Sequence, residues 1–300
     1  MSTGVIILNY NGAEDTIKCL QSIGKYNSAA VRYFIVDNGS TAADDARIIE
    51  SYIESAFQPG VATLIASKTN DGYAAGNNKG LRAAFDDPEI DDILILNNDV
   101  LFESDLIPAL TACRDHLASP GILTPLLENP DGSIEYNCAR TFPSNWQVML
   151  PFVLFRKDLF HILSGASASQ KLLRADPSLI DREYFPIGMP SGACMFMRKS
   201  LLMEMDGLDE GTFLYYEENI LCKRLSGKGL VNYCIPALRA LHAGGASTSK
   251  SSNLFLQKCN LESADYYLEK YSEMTLLQKA VWRIVRQLWK LKFKIKELRK

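Results

Sequence analysis

Three small polar side chains in a row, Asn97-Asn98-Asp99, follow directly on the apolar run Ile93-Leu94-Ile95-Leu96. The run reads as a buried strand. In an open α/β sheet, the C-terminal ends of strands are where ligands bind. A carboxylate flanked by amides at such a place has two readings. It is a hard oxygen ligand for a divalent cation on a diphosphate, or it is a polar strand-to-loop turn. Other stretches share this character. Asn9-Tyr10-Asn11-Gly12 follows the apolar residues 5–8, and Asp37-Asn38-Gly39-Ser40-Thr41 follows residues 33–36. A third stretch runs Asn70-Asp71-Gly72-Tyr73 and on through Asn77. Far downstream stand a carboxylate pair, Glu217-Glu218, and His242, one of three histidines, before two glycines and a serine.

The elements that must position these residues alternate. Strands are expected at 5–8, 33–36, 61–66 and 93–96. Helices are expected at 15–23, where Ile17, Leu20 and Ile23 share a face, and at 43–55, 75–85 and 105–117. This β-α-β-α-β-α-β order predicts an α/β domain, with a mostly parallel sheet, right-handed crossovers and helices on both faces. Its Asn- and Asp-rich turns then lie on one sheet edge and converge on one polar ligand. From 124 to 190 the pattern is irregular. The apolar, aromatic stretch at 146–163 is either a specificity-bearing insertion or extra core. Beyond it, the sequence predicts a strand at 189–197, a helix at 199–205, a helix through Ile220, Leu221 and Leu225, and a strand at 231–235 ending at Pro236.

An apolar fraction of 47% over 300 residues is ample for a core and excludes a disordered chain. The formal net charge of −3 hides an asymmetry: residues 276–300 hold nine Lys or Arg and one Glu, a net of +8, leaving −11 on the rest. An acidic body repels phosphates and argues against nucleic acid as a partner. The seven cysteines have no metal-knuckle spacing and read as free thiols of a reducing compartment. No signal peptide is expected at the start, and no apolar run is long enough to span a bilayer. The expected location is cytoplasmic.

Residues 277–291 carry an amphipathic helical pattern. Leu277, Val281, Ile284, Val285, Leu288 and Leu291 share one side, flanked by Trp282 and Trp289, with Lys279, Arg283, Arg286 and Lys290 opposite. Lys292 and Lys296 then intrude on the apolar face. Such a helix, continued to residue 300, is expected to lie on an anionic membrane, on the inner face of the cell membrane. The alternative is a helix packed on the domain or on a second subunit, as in a homo-oligomer.

Taken in order, these motifs resemble those of inverting glycosyltransferases of family 2 with the GT-A fold, in particular the bacterial rhamnosyltransferase-like branch. The resemblance covers roughly residues 4–250. It rests on Val5 to Asn11, Val36-Asp37-Asn38-Gly39-Ser40, Asn70 to Tyr73 with Asn77, Leu96-Asn97-Asn98-Asp99, Ser191-Gly192-Ala193, Gly207-Leu208-Asp209-Glu210 with Tyr216-Glu217-Glu218, and His242 to Ser247. It implies a nucleotide-sugar-binding half at 1–123, an acceptor-binding half at 124–250 and a helical basic extension at 251–300. Implied donor contacts are Asn9, Tyr10, Asn11, Asp37, Asn70, Asp71, Gly72, Asn77, Asn97 and Asn98. Implied ligands of Mg²⁺ or Mn²⁺ are Asp99 and His242, and Ser191, Gly192 and Ala193 stand where the acceptor binds. Glu218 matches the general base of inversion, with Glu217 the other catalytic carboxylate. The implied reaction moves a sugar from a nucleotide diphosphate, dTDP-rhamnose or a UDP-sugar, to a glycan or lipid-linked acceptor in cell-surface polysaccharide synthesis.

Two departures stand out. Asn97 replaces the first Asp of the family's metal motif, and Ile220 replaces the second Asp of its Glu-Asp-x-Asp pattern, whose first Asp is the base. Ile220 keeps open a catalytically altered homologue that binds nucleotide sugar or serves as a membrane-associated partner. A sugar nucleotidyltransferase ranks lower, because the turn after residues 5–8 offers no basic residue for a triphosphate.

Overall fold

The structure, a computed structural model, describes residues 2–42, 44–154, 171–243 and 253–298. The later part of the apolar stretch expected at 146–163, and residues 244–247 of the His242 motif, lie outside the described residues.

The chain opens with β1 (Ser2–Asn9), β2 (Val31–Asp37), β3 (Ala62–Ala66) and β4 (Ile90–Asn97), alternating with α1 (Ala13–Tyr26), α2 (Asp45–Ala56) and α3 (Tyr73–Phe85). The four strands are parallel in the order β3-β2-β1-β4. Consecutive residues of β1 and β4 are buried because helices cover both faces, which is why each reads as an unbroken apolar run. Register then brings the polar ends together: Asn9 lies opposite Asp37, and Leu8 opposite Asn97.

The sheet continues with β5 (Val100–Phe102), β6 (Pro120–Glu128), β7 (Phe185–Ile187), β8 (Cys194–Arg198) and β9 (Val231–His242). β8 runs antiparallel between β4 and β6, β6 is parallel to β9, and β5 and β7 pair antiparallel with β9. The result is a nine-stranded, mostly parallel sheet, as expected.

Prolines account for two departures from the sequence reading. β6 reaches into the stretch read as irregular. Its Pro120 starts the strand and its Pro125 sits at a register shift, both places where a missing N–H is tolerated. β9 was expected to stop at Pro236. It continues instead, because the pairing jumps from Ile235 opposite Pro125 to Arg239 opposite Leu126, which takes Pro236 out of the ladder. That continuation carries His242 to a position opposite Val100 on β5.

The remaining helices are α4 (Leu106–His116), α5 (Asn145–Val153), α6 (Leu172–Ala175), α7 (Lys199–Glu204), α8 (Glu217–Gly227), α9 (Asn253–Tyr271) and α10 (Leu276–Leu298). Two apolar clusters fill the faces of the sheet, and a third joins Val148, Met149 and Phe152 of α5, Ile220 of α8, and the facing sides of α9 and α10. The 146–153 stretch is therefore core for the C-terminal helices.

Within α10 the buried side is not the side expected from the sequence. Trp282, Val285, Trp289 and Phe293 face inward, while Leu277, Ile284, Leu288 and Leu291 are exposed. The two tryptophans, read as flanks, are the anchors. Phe152 meets both edge-on, at 5.5 and 6.0 Å between ring centres. Each buried ring contributes about 1.5–3 kcal/mol. Tryptophan offers more area than leucine, and Trp289 Nε1 finds an acceptor in Phe152 O at 2.8 Å.

Candidate active site

The turn after β1 is built around Asn9, which is fully buried. Its Nδ2 donates to Asp37 Oδ1 at 2.8 Å and Ser40 Oγ at 3.2 Å, and its Oδ1 accepts from Thr16 Oγ1 at 2.9 Å. Asn98 Nδ2 closes the same network through Thr16 Oγ1 at 3.1 Å and Gly12 O at 3.2 Å. Asn9 and Asn98 thus shape the pocket from behind, by holding Asp37 and the turn in place. Tyr10 is half-buried beside them. Asn11 takes a left-handed conformation, φ 56°, and its Oδ1 accepts from the Thr41 and Ala42 amides at 2.8 and 3.1 Å. Asn and Asp are the non-glycine residues that adopt this conformation most readily.

A second network frames the β3–α3 turn. Asn70 Oδ1 accepts from Asn38 Nδ2 and from the Gly72 amide, both at 3.0 Å. Asp71 pairs with Lys79 and Thr69, and these hydrogen bonds hold its carboxyl below the usual range. Gly72 has φ +87°, and a Cβ there would come within 2.2 Å of Phe213 O, so no other residue fits. Asn77 is buried, and its Nδ2 donates to Tyr73 O of its own helix at 2.9 Å.

Asp99 follows β4, and β9 returns His242 beside it. His242 Nε2 lies 3.3 Å from Asp99 Oδ1, a buried oxygen that makes no hydrogen bond. The other ring nitrogen, Nδ1, lies 2.6 Å from Glu135 Oε2. Burial pulls the imidazole pKa down, but the carboxylates of Asp99 and Glu135 outweigh it and raise the value to about 10. Among the described residues, no three or more His, Cys, Asp or Glu side chains converge as a ligand set. Glu135 sits behind the imidazole and does not converge with Asp99. The donor set fits a divalent cation, which Asp99 Oδ1 and His242 Nε2 would hold. A carboxylate behind a histidine ligand is the usual device for fixing its tautomer.

A cavity of about 1000 Å³ is lined by Tyr73, Asn97, Arg140, Ser191, Gly192, Ala193, Glu217 and Glu218. The 191–193 segment is the seam: Asn97 N donates to Ala193 O at 2.9 Å, and Tyr73 Oη donates to Gly192 O at 2.6 Å.

The two carboxylates start α8, where the helix dipole favours negative charge. Their environments differ. Glu217 is enclosed, and burial together with the neighbouring Glu218 pushes its pKa up to about 8. Glu218 Oε1 accepts from Arg140 Nη2 at 2.9 Å, and the same nitrogen donates to Pro190 O at 2.8 Å. A proton-bearing acid beside an ion-paired carboxylate is an arrangement that separates acid and base roles. The chain reaches α8 through Tyr215 and Tyr216, both left-handed at φ 77° and 71°. Bulky residues rarely adopt that conformation, at a cost of about 1–3 kcal/mol each. The Tyr216 ring, 5.4 Å from that of Tyr267 on α9, helps to hold it.

Ile220 is 1% exposed and belongs to the third apolar cluster. An Asp there would be a charge buried among aromatic rings, so the departure at 220 follows from the C-terminal helices that cover it. Sequence reasoning missed Glu135 and Arg140, which stand in an aperiodic stretch with no motif to mark them. It also missed the paired left-handed tyrosines.

The model for glycosyl transferase family 2 matches residues 4–205, two thirds of the chain, ending before Glu217, Glu218 and His242. The chain is 27% identical over 253 residues to an N-acetylglucosaminyl-diphospho-decaprenol L-rhamnosyltransferase of Mycobacterium tuberculosis, covering 82% of this chain and 77% of that protein. It is 24% identical over 300 residues to the low-salt glycan biosynthesis hexosyltransferase Agl10 of Haloferax volcanii, covering 96% and 85%. Among solved structures, the mannosyltransferase PcManGT of Pyrobaculum calidifontis, in complex with GDP-Man and Mn²⁺, superposes with a TM-score of 0.58 at 13% identity, covering 96% of this chain and 73% of that one. TarS 1–349 of S. aureus with UDP gives 0.52 at 14%, covering 94% and 70%. With its family match, its relatives and its fold in agreement, this chain belongs to glycosyl transferase family 2 and is a glycosyltransferase of the GT-A fold.

Proposed function

We propose that this glycosyltransferase inverts the anomeric centre of a sugar carried on a nucleotide diphosphate and delivers it to a glycan on a lipid-linked acceptor, with Glu218 as general base. The observation that carries this reading is the shared cavity. Asn97, at the end of β4, and Glu218, at the start of α8, open on the same space. The donor then occupies the β1, β2 and β3 turns, with its sugar at Asn97, and the acceptor lies along Ser191, Gly192 and Ala193. Arg140 fixes one oxygen of Glu218, leaving the other to accept the acceptor's hydroxyl proton as the hydroxyl oxygen attacks the anomeric carbon and the bond to the diphosphate breaks. Glu217, carrying its proton at neutral pH, adds no second negative charge beside the base.

Asp99 and His242 would hold Mg²⁺ or Mn²⁺, which would supply Lewis-acid stabilisation of a departing diphosphate. Glu135 holds the imidazole so that Nε2 faces Asp99. The relative whose name specifies a diphospho-decaprenol acceptor supports a lipid-linked acceptor here, and its rhamnosyl transfer supports dTDP-rhamnose over a UDP-sugar as donor. Among the described residues no helix is long and apolar enough to cross a membrane. The exposed apolar residues of α10, interleaved with lysines and arginines, suit the surface of an anionic membrane, where a lipid-linked acceptor resides.

A thermal-shift screen of nucleotide sugars with Mg²⁺ and Mn²⁺ identifies the donor, because binding raises stability. Transfer assays with Asp99→Ala and Glu218→Gln then test the site. Both are expected to lose transfer, Asp99→Ala with loss of metal dependence and Glu218→Gln with donor binding retained. Undiminished transfer in both overturns the assignment.

A further inference from the structure

Two lysines break the apolar pattern of the last helix, and both line the active-site cavity. Lys292 and Lys296 lie three and seven residues beyond Trp289, so they continue its inward-facing side. Where Trp282, Val285, Trp289 and Phe293 meet α5 and α9, that side is closed core. Where it passes the end of the packing, it borders the cavity that also holds Glu218 and Arg140.

We propose that Lys292 and Lys296 form the binding site for the phosphate or diphosphate that joins the acceptor's sugar to its lipid. This deepens the function proposed above and rests on it.

Charge is the first support. The cavity lining contains three cations, Arg140, Lys292 and Lys296, against the ion-paired Glu218 and the enclosed Glu217. Lys292 is held over the face of Trp289, 3.9 Å from the ring centre, on the cavity wall. Burial and repulsion by Lys296 both disfavour its charge, a cost that an anion seated between the two removes.

Position is the second support. Leu288, Leu291 and Ile295 lie on the outer side of the same helix and are exposed. A lipid-linked acceptor presents three parts in order: sugar, phosphate and hydrocarbon. The cavity lining holds both Glu218 and the lysines, and α10 offers apolar side chains to the outside. The donor's own diphosphate has a separate place, at Asp99 and His242, so this second cationic site suits a second phosphorylated substrate.

The test uses the full chain and a pair of soluble acceptors, one sugar on a short-chain prenyl diphosphate and the same sugar on a neutral alkyl group. Lys292→Gln with Lys296→Gln is expected to raise KM for the diphosphate acceptor about 10-fold or more, with donor KM unmoved. Lys292→Arg with Lys296→Arg is expected to restore it, and unchanged thermal stability of both variants confirms folding. Binding of short-chain prenyl diphosphate alone, followed by calorimetry, reads the site without turnover. If the native chain transfers no sugar to either acceptor, the function proposed above fails, and this binding measurement still decides the role of the lysines. Equal binding and equal acceptor KM in the Gln variant overturn the proposal. So does a rise in donor KM alone, which would place the lysines on the donor. Loss of binding to phosphatidylglycerol vesicles, with prenyl diphosphate binding intact, would make them a membrane contact and also overturns it.

Discussion

Two regions of the site are built on opposite principles. At the ends of β1, β2 and β4, Asn9, Thr16, Asp37, Ser40 and Asn98 satisfy one another in a buried hydrogen-bond network. At the start of α8, Glu217 is enclosed with Oε1 unpartnered, Arg140 Nε is likewise buried without a hydrogen bond, and two consecutive tyrosines are left-handed. A satisfied network is rigid. Unpartnered groups and backbone strain cost stability and tend to gather where chemistry is done. Substitutions within the buried network should therefore act chiefly on folding, and substitutions at the start of α8 chiefly on turnover.

The largest effect on stability is expected from Asn9→Ala. It removes the hub and leaves several buried polar groups without partners, at about 2–4 kcal/mol. Thermal unfolding should show a drop of about 10 °C. A drop of one or two degrees would mean that the network relaxes, and the contrast between the two regions would collapse.

Glu135→Gln should act between the two extremes. It leaves His242 in place but weakens the hold on its Nδ1. Mn²⁺ affinity measured by calorimetry should fall about 10–100-fold. Unchanged affinity would leave Glu135 as an ordinary ion-pair partner.

An effect of opposite sign, stabilising rather than destabilising, belongs to Glu217→Gln. The folded protein raises this carboxyl from 4.5 to about 8, so between those values the native state keeps a proton that the unfolded chain releases. Stability from this group therefore declines as pH rises through that window. The Gln variant should match the native protein near pH 4.5 and melt a few degrees higher at pH 9. A constant difference across that range would show that burial does not perturb Glu217.

The same contrast explains what could be read in the sequence. The buried network was legible because β1, β2 and β4 are covered on both faces and end abruptly in polar turns. Its motifs are local, and Asn9, Asp37 and Asn98 need only their neighbours in the sheet to meet. The rest of the site is assembled from distant pieces. His242 meets Asp99 through a three-residue strand, β5, and a β9 that passes Pro236. Arg140 and Glu135 come from a stretch with no periodicity. In α10, apolar residues occur on two sides, and hydrophobic spacing alone did not choose between a leucine-rich side and a tryptophan-rich one. Packing against Phe152 chose the tryptophans. The same choice explains Ile220, which looked like a lost acidic residue and is part of that core.

The central claim is that Glu218, and not Glu217, takes the acceptor proton. The direct measurement is the rate of sugar transfer by Glu218→Gln and Glu217→Gln side by side, under saturating donor, with donor binding followed by thermal shift. Glu218→Gln is expected to lose about 10²–10⁴-fold in kcat while still binding donor. Glu217→Gln is expected to stay within about 10-fold of the native protein, because it removes a charge that is already neutralised near pH 7. The reverse order of losses would contradict Glu218 as the base.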